Sequence, residues 1–374
     1  MAKDPVVVVL QLSGGNDYMN TVIPYANSLY WENRPVVNIP EDKIIPLDDK
    51  VGFNPSMAPL KKFYDNGQMA IIHGVGYADS PRSHFRSMDI WHTCEPEIVG
   101  TEGWLGRALR EFDPNKSNVV TGVSFGPSMF RAMSLPGVPV ACVSGPLETY
   151  GMLPGIQGEQ RLKVLERFKN AYSSSVGLGT VMDYLGTTGI DSLAGADILK
   201  VAPQKYSSTV TYPASKVAQK LKGVAQVHLA NLGTRVFYLD HGSFDTHASQ
   251  LGEHAKLWKE VSEGVDAFFT DLREHNADEN VLLLMFTEFG RRVHDNGSGT
   301  DHGAGGVAFA IGAPVKGGQY SEFPSMKAQD LSQGDLVPNY DFRGIYSTIL
   351  EDWLKLDAKP IVNGSFEKLS FVKN

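Results

Sequence analysis

Short, almost uninterrupted apolar runs recur along the chain, and most of them break off into glycine, aspartate or asparagine. Residues 6–12 (VVVVLQL) run into SGGND, and residues 69–76 (MAIIHGVG) into YADSPRSH. Residues 234–239 (TRVFYL) run into DHGSFDTH, and residues 280–286 (NVLLLMF) into TEFGRR. Residues 118–126, 138–145 and 306–315 complete the set of strand candidates. Continuous Val/Ile/Leu/Phe runs without polar alternation fit strands covered on both faces, as in a parallel sheet. Helical patterns lie between them. Trp258, Val261, Val265, Phe268 and Leu272 recur at three- and four-residue steps, which lines one helix face. Ile345, Ile349, Trp353 and Leu356 repeat the pattern within residues 342–356, and residues 215–232 form a third such stretch. Alternation of strand and helix predicts the α/β class, as a three-layer α/β/α sandwich with a mostly parallel central sheet. Residues 148–232 are rich in helical signals and poor in strand signals. They are expected to form a helical insertion or cap on a single domain spanning residues 1–374.

Composition narrows the function classes. The chain has 374 residues, 42% of them hydrophobic, enough for a sizeable core. Its net charge of −8 argues against nucleic acid, which needs a basic face to neutralise phosphates. The sequence has no run of 18 apolar residues, so no membrane span is expected. The opening MAKDPVVVVLQL turns strand-like too early for a secretion signal. That fits a cytoplasmic protein, or an exported one whose leader has been removed. Cys94 and Cys142, the two cysteines, fit two buried thiols as well as a disulfide.

The polar openings carry the chemistry. In an open α/β sheet, ligands bind at the carboxyl ends of the strands. Asp17 follows the first run; Asp245 and His247 follow the run at 234–239; Glu288, then Asp301 and His302, follow the run at 280–286. Parallel strands would bring these groups to one rim, where clustered carboxylates need a cation to offset their repulsion. Carboxylates and imidazoles together suit Zn, Mn, Fe, Mg or Ca, according to the final nitrogen and oxygen count. Each residue also has a plainer role open to it. Asp17 fits a turn, Asp245 a helix N-cap, and His302 an ordinary loop position. Glu288 directly after VLLLMF is badly placed for solvent and needs a partner. Ser83 precedes a helical pattern (Phe85, Met88, Trp91). It is either an N-cap or, beside a metal and a helix N-terminus, a nucleophile for a phosphate or sulfate ester. The six other histidines that fall in element patterns or on polar faces, from His73 to His294, read as structural.

The stretches GGNDYMNTVIPY, RSHFRSMDIWHT, GWLGRAL, SFDTHASQ, TEFGRRVHDNGSGTDHG and VKGGQY, in this order, resemble a bacterial family of unknown function numbered 1501. That family is grouped with the alkaline phosphatase and sulfatase superfamily. The resemblance implies an alkaline-phosphatase-like sandwich with one or two divalent ions (Zn, Mn, Ca or Mg) at the carboxyl edge of its sheet. It implies Asp17, Asp245, His247, Glu288 and His302 as ligands, with Asp301 replacing a missing ligand or orienting His302. It implies Ser83 as nucleophile, with His84, Arg291 or Arg292 offsetting charge. Asn16, Arg86, Arg291 and Arg292 are the expected substrate contacts. The chain departs from the superfamily pattern: Asp245 and His247 are two apart rather than four, and Glu288–Phe289 stands where an Asp–His pair is usual. These departures weigh against a second ion. The leading expectation is a metal-dependent hydrolase of phosphate or sulfate esters, acting on a small-molecule or glycan ester in the periplasm or outside the cell. The alternative is a non-catalytic, metal-stabilised exported protein that binds an anionic glycan or a partner.

Overall fold

The computed structural model describes residues 3–149, 156, 158–173 and 179–373. The remaining parts of the expected insertion, residues 150–155, 157 and 174–178, lie outside the described residues.

The large sheet contains β1 (Val6–Leu12), β2 (Met69–Gly76), β3 (Gly122–Phe125), β4 (Ala141–Val143), β5 (Val236–His241), β6 (Val281–Phe286), β7 (Gly306–Ile311), β8 (Gly318–Tyr320) and β9 (Tyr340–Asp341). Its order is β8-β2-β7-β6-β1-β5-β3-β4, with β9 paired to β2. Strand β1 lies inside the sheet, parallel to both neighbours: Val7 sits opposite Val236 on one side and opposite Leu282 on the other. Its side chains alternate between two separate core clusters. Val6, Val8, Leu10 and Leu12 enter one, and Val7 and Val9 the other. Burial on both faces is why its run shows no polar alternation. Each valine so buried contributes roughly 1.5–3 kcal/mol relative to exposure.

Helices cover the two faces, and eight of the described helices have seven or more residues. They are α1 (Ala58–Asp65), α2 (His84–Thr93), α3 (Trp104–Phe112), α4 (Gly158–Ser173), α5 (Thr180–Leu199), α6 (Lys216–Leu229), α7 (Gln250–Glu274) and α8 (Phe342–Thr348). Helices α1, α6 and α7 cover one face, through Leu60, Phe63, Val217, Leu221, Val224, Trp258, Val261 and Val265. The expected apolar stripe of α7 is buried along its length. Helices α2, α3 and α8 cover the other face, where Trp91 stacks between Phe286 and Phe342. The arrangement is the expected three-layer α/β sandwich. Helix α6, from the end of the expected insertion, packs on α7 and β5 as part of a main layer. The expected continuous helix over 342–356 runs as α8 and then widens into a π-type turn over Ile349–Trp353.

Strand β7 is antiparallel to β2 and β6. Every other pairing in the large sheet is parallel. The carboxyl ends of β1, β2, β5 and β6 therefore share one edge. The chain leaving β6 must come back to that same edge to start β7, which returns residues 287–305 to the rim. Cys94 and Cys142 do not pair with each other. No helix among the described residues is long and apolar enough to cross a membrane.

Candidate metal centre

Four loops meet at this edge. After β1 the chain turns through Gly14 and Gly15, both with positive φ (122° and 74°). A Cβ at Gly14 would stand 2.5 Å from the Asp245 backbone nitrogen, so a side chain cannot fit between the first and third loops. After β2, residues 77–83 lead into α2, whose first residue is His84. After β5, residues 242–248 carry Asp245 and His247 before α7 begins behind Ser249. The helix cap is thus Ser249, and Asp245 is free of that plainer role. After β6 the chain makes a tight antiparallel excursion. Gly303 N–H donates to the Gly290 carbonyl, Arg292 N–H to that of Asp301, and Arg291 faces His302 across a β-bridge.

These loops gather three imidazoles around one carboxylate. The Nε2 of His302 lies 3.1 Å from His84 Nε2, 3.0 Å from His247 Nε2 and 3.0 Å from Asp245 Oδ1. His247 Nε2 is also 3.0 Å from Asp245 Oδ1, and His84 Nε2 is 3.4 Å from Asp245 Oδ2. Asp245 and His302 thus form a shared edge, with His84 on one side and His247 on the other. Among the described residues, His84, Asp245 and His302 offer ligand atoms all within 4.8 Å of one another.

The outward-facing nitrogens show which atoms are free to bind. His302 Nδ1 lies 2.9 Å from the Arg82 carbonyl, which only accepts, so Nδ1 carries the hydrogen. His84 Nδ1 lies 2.7 Å from Glu288 Oε1, and His247 Nδ1 lies 3.1 Å from Asp301 Oδ1. In the neutral form each ring then points an Nε2 lone pair inward. A metal-binding histidine characteristically gives its other N–H to a carboxylate or carbonyl, and all three do. Lone pairs 3.1 Å apart beside a carboxylate repel unless a proton or cation lies among them. Separations of 3.0–3.4 Å match the edge of a coordination tetrahedron with metal–nitrogen bonds of about 2.0–2.1 Å. The donor set therefore fits a divalent ion.

Glu288 is fully buried and accepts from the Gly14 N–H (2.8 Å) as well as from His84. That is the partner its position after VLLLMF demands. Glu288→Gln is expected to lower metal affinity about 10–100-fold while the fold persists. Competition against a chromophoric chelator measures this, and an unchanged affinity would remove Glu288 from the role.

The electrostatics agree. Burial alone would raise the Asp245 carboxyl. The hydrogen bond from Arg291 (2.6 Å) and the arginine charge bring it down to about 2 instead. The Glu288 hydrogen bond raises the His84 imidazole, with burial opposing. The His247 hydrogen bond is the main cause lowering Asp301, against partial burial.

Several expected roles shift. Glu288 and Asp301 meet the far nitrogens of His84 and His247 rather than pointing inward themselves. His84, expected as a catalytic neighbour, joins Asp245 and His302 in the cluster. Asp17 stands outside it: Arg34 binds its two oxygens at 2.5 and 3.0 Å, and Gln250 donates to it at 2.5 Å. Asn16 is buried, and its oxygen accepts from His254 and Trp258, so it faces the core rather than a substrate. Arg291 is buried too. Its guanidinium donates to the carbonyls of Gly14, Gly15, Phe244 and Thr300 and to Asp245, so it is a strut that aims Asp245. Arg86 turns away to Asp89 and to the carbonyls of Glu95 and Pro96. Arg292 remains partly exposed. Ser83 occupies the N-cap position of α2 with no capping hydrogen bond from its side chain. Sequence reasoning missed Arg34 and the part played by the Arg82 carbonyl. Nothing in their local sequence marks a buried pair to Asp17 or a carbonyl that orients His302.

Fold and site define an α/β protein with a candidate metal centre of mixed imidazole and carboxylate character on its sheet edge. Residues 201–358 match the family model described as "Protein of unknown function (DUF1501)". The match includes Asp245, His247, Glu288, Asp301 and His302. No curated protein matches the chain. Among solved structures it is similar to the C-terminal periplasmic domain of EcEptC from Escherichia coli in complex with Zn (TM-score 0.42, 9% identity, covering 94% of this chain and 83% of that one). It is also similar to the PsFucS1 sulfatase from Pseudoalteromonas sp. (0.41, 13%, 98% and 71%). A third is the phosphonate monoester hydrolase of Agrobacterium radiobacter (0.39, 9%, 96% and 78%). At these values the likeness assigns no residue, metal or reaction to this chain.

Proposed function

We propose that the protein is a metal-dependent hydrolase of phosphate or sulfate esters, with Ser83 as nucleophile. The observation that carries this reading is the convergence of His84, His302 and His247 on Asp245, each imidazole held from behind, immediately beside the start of α2. His84, Asp245 and His302 would hold one ion, with His247 at its open side. A nitrogen-rich set favours Zn over Ca, Mg or Mn. A bound ion would polarise an ester oxygen and favour the ionised form of a nearby hydroxyl. Ser83 is flanked by Arg82, whose carbonyl orients His302, and by His84, whose ring is in the cluster. Its hydroxyl is not spent on capping. The first N–H groups of the ten-residue α2 and the positive end of its dipole suit an anionic ester. Arg292 is the arginine of the expected set that can still meet developing negative charge. The family resemblance also supports a periplasmic or secreted location.

A second reading rests on the arginines. Arg86 and Arg291 are committed elsewhere and do not meet transition-state charge, which suits a non-catalytic metal-stabilised protein. Ser83→Ala separates the two. With 4-nitrophenyl phosphate and 4-nitrophenyl sulfate as substrates and Zn or Mn supplied, the variant is expected to lose turnover by on the order of a thousandfold or more. Its circular dichroism should be unchanged, because the hydroxyl caps nothing. Residual turnover within a few-fold of the parent would exclude Ser83 as nucleophile.

A further inference from the structure

A cleft of about 750 Å³ opens beside the metal cluster. That volume lies in the range of small-ligand sites, which run from about 300 to 1,000 Å³. One wall is the loop that follows β2 and leads to Ser83. The other is the segment 332–341 ahead of α8. The cleft shares its boundary with the centre: Arg82 lines it with its side chain while its carbonyl holds His302, and Ala304 lines it two residues after His302. Both walls hold residues in the left-handed region: Asp79, Arg82 and Gln333, with φ of 57°, 53° and 53°. Such conformations persist where the surroundings impose them, often at binding sites.

The polar groups of the cleft are incompletely satisfied. Asp335, with its side chain 3% exposed, takes Arg82 Nε on one oxygen at 2.6 Å. Its other oxygen, Oδ1, is buried with no hydrogen bond, and Arg292 Nε lies 4.0 Å from it. Ser80 Oγ is a second buried oxygen on the lining with no hydrogen bond. Val337 adds exposed apolar surface. An anion in the cleft would meet the Asp335 carboxylate, and a cation would meet Arg82 and Arg292. A neutral hydroxyl suits both, because it donates to the carboxylate and accepts from the guanidinium.

We propose that this cleft binds a neutral, polyhydroxylated group, a sugar ring or short oligosaccharide. Asp335 Oδ1 and Ser80 meet its hydroxyls while Val337 meets its carbon face. This deepens the hydrolase reading, on which it rests for the placement of the ester at the metal centre: the substrate becomes a phosphate or sulfate ester of a glycan.

The test separates the two ideas. The full chain, fluorescently labelled, is applied to an array of neutral and ester-bearing oligosaccharides, with and without EDTA. The neutral oligosaccharide that gives the strongest signal is then titrated against the parent, Asp335→Ala and Val337→Arg. We expect binding that survives EDTA and weakens about tenfold or more in both variants. Val337 is 44% exposed, so its variant blocks the cleft without entering the core. If Asp335→Ala does not fold, Val337→Arg decides alone. An array without a retained neutral sugar, or binding unchanged in the cleft variants, overturns the proposal whatever the esterase result. EDTA-resistant, cleft-dependent sugar binding without ester turnover would leave the cleft standing and remove the hydrolase.

Discussion

The double variant Asp245→Ala, His302→Ala will lose its bound metal. Elemental analysis of the parent, purified without chelator or metal-affinity tag, is expected to give about one equivalent per chain. The double variant is expected to retain less than about a tenth of that. The reason lies in the geometry. Asp245 and His302 are the shared edge of the cluster, each in contact with both His84 and His247. Losing that edge leaves two imidazoles on opposite sides with no common partner. Removing an outer carboxylate already costs about 10–100-fold in affinity, and removing two inward-pointing ligands costs more. Turnover of 4-nitrophenyl esters should vanish with the metal. The fold should survive, because both side chains are partly exposed and Arg291 keeps its four backbone carbonyls. Metal at parental levels in a folded double variant would mean that the ions bind elsewhere, and the proposed centre would fall.

How much of this was legible beforehand depends on the range of the signal. The β1 run, VVVVLQL, declares a strand buried on both faces, and the α7 stripe declares an amphipathic helix. Both signals are local, and both elements appear. That the openings after β1, β5 and β6 share an edge followed from parallel strands, and it holds. The reversal of β7 was not legible, because GVAFAIGAPV looks the same whichever way the strand runs. That reversal is nonetheless what returns Asp301 and His302 to the rim. The division between ligands and their supports was also hidden. Glu288 and His84 are 204 residues apart in sequence, and only the folded geometry shows that the carboxylate meets the outer nitrogen of the ring. Ligand-type residues at a strand end mark a site well. They do not reveal which atoms face inward, because that depends on pairs such as Asp17 with Arg34 and His302 with the Arg82 carbonyl.

Asp17 offers the sharpest test of that division. Asp17→Asn is expected to destabilise the fold by about 3–5 kcal/mol, the range for breaking a buried ion pair at one partner. Arg34 would be left charged and buried, facing an amide whose NH₂ group cannot accept from it. The consequence extends to the site. Arg34 also donates to the carbonyls of Arg292 (2.9 Å) and Val293 (2.7 Å), so the pair ties the first loop to the excursion that carries His302. For a chain of this length such a loss corresponds to a fall of roughly 5 °C in the unfolding temperature. The pH dependence has a definite sign. Burial would raise the Asp17 carboxyl, but the charge and hydrogen bond of Arg34 outweigh it and leave the pKa lowered. A depressed carboxylate contributes stability that is fully present above its unfolded pKa and is lost as pH falls through the folded value. The gap between parent and variant should therefore be widest near neutral pH and narrow in acid, below the ordinary aspartate range. Urea titrations at neutral and acidic pH measure it. Metal content of the folded variant at neutral pH supplies the deciding comparison. A strut predicts lower stability with metal still bound to the folded fraction, whereas a ligand predicts metal loss with little change in stability, and the second outcome would return Asp17 to the coordination sphere.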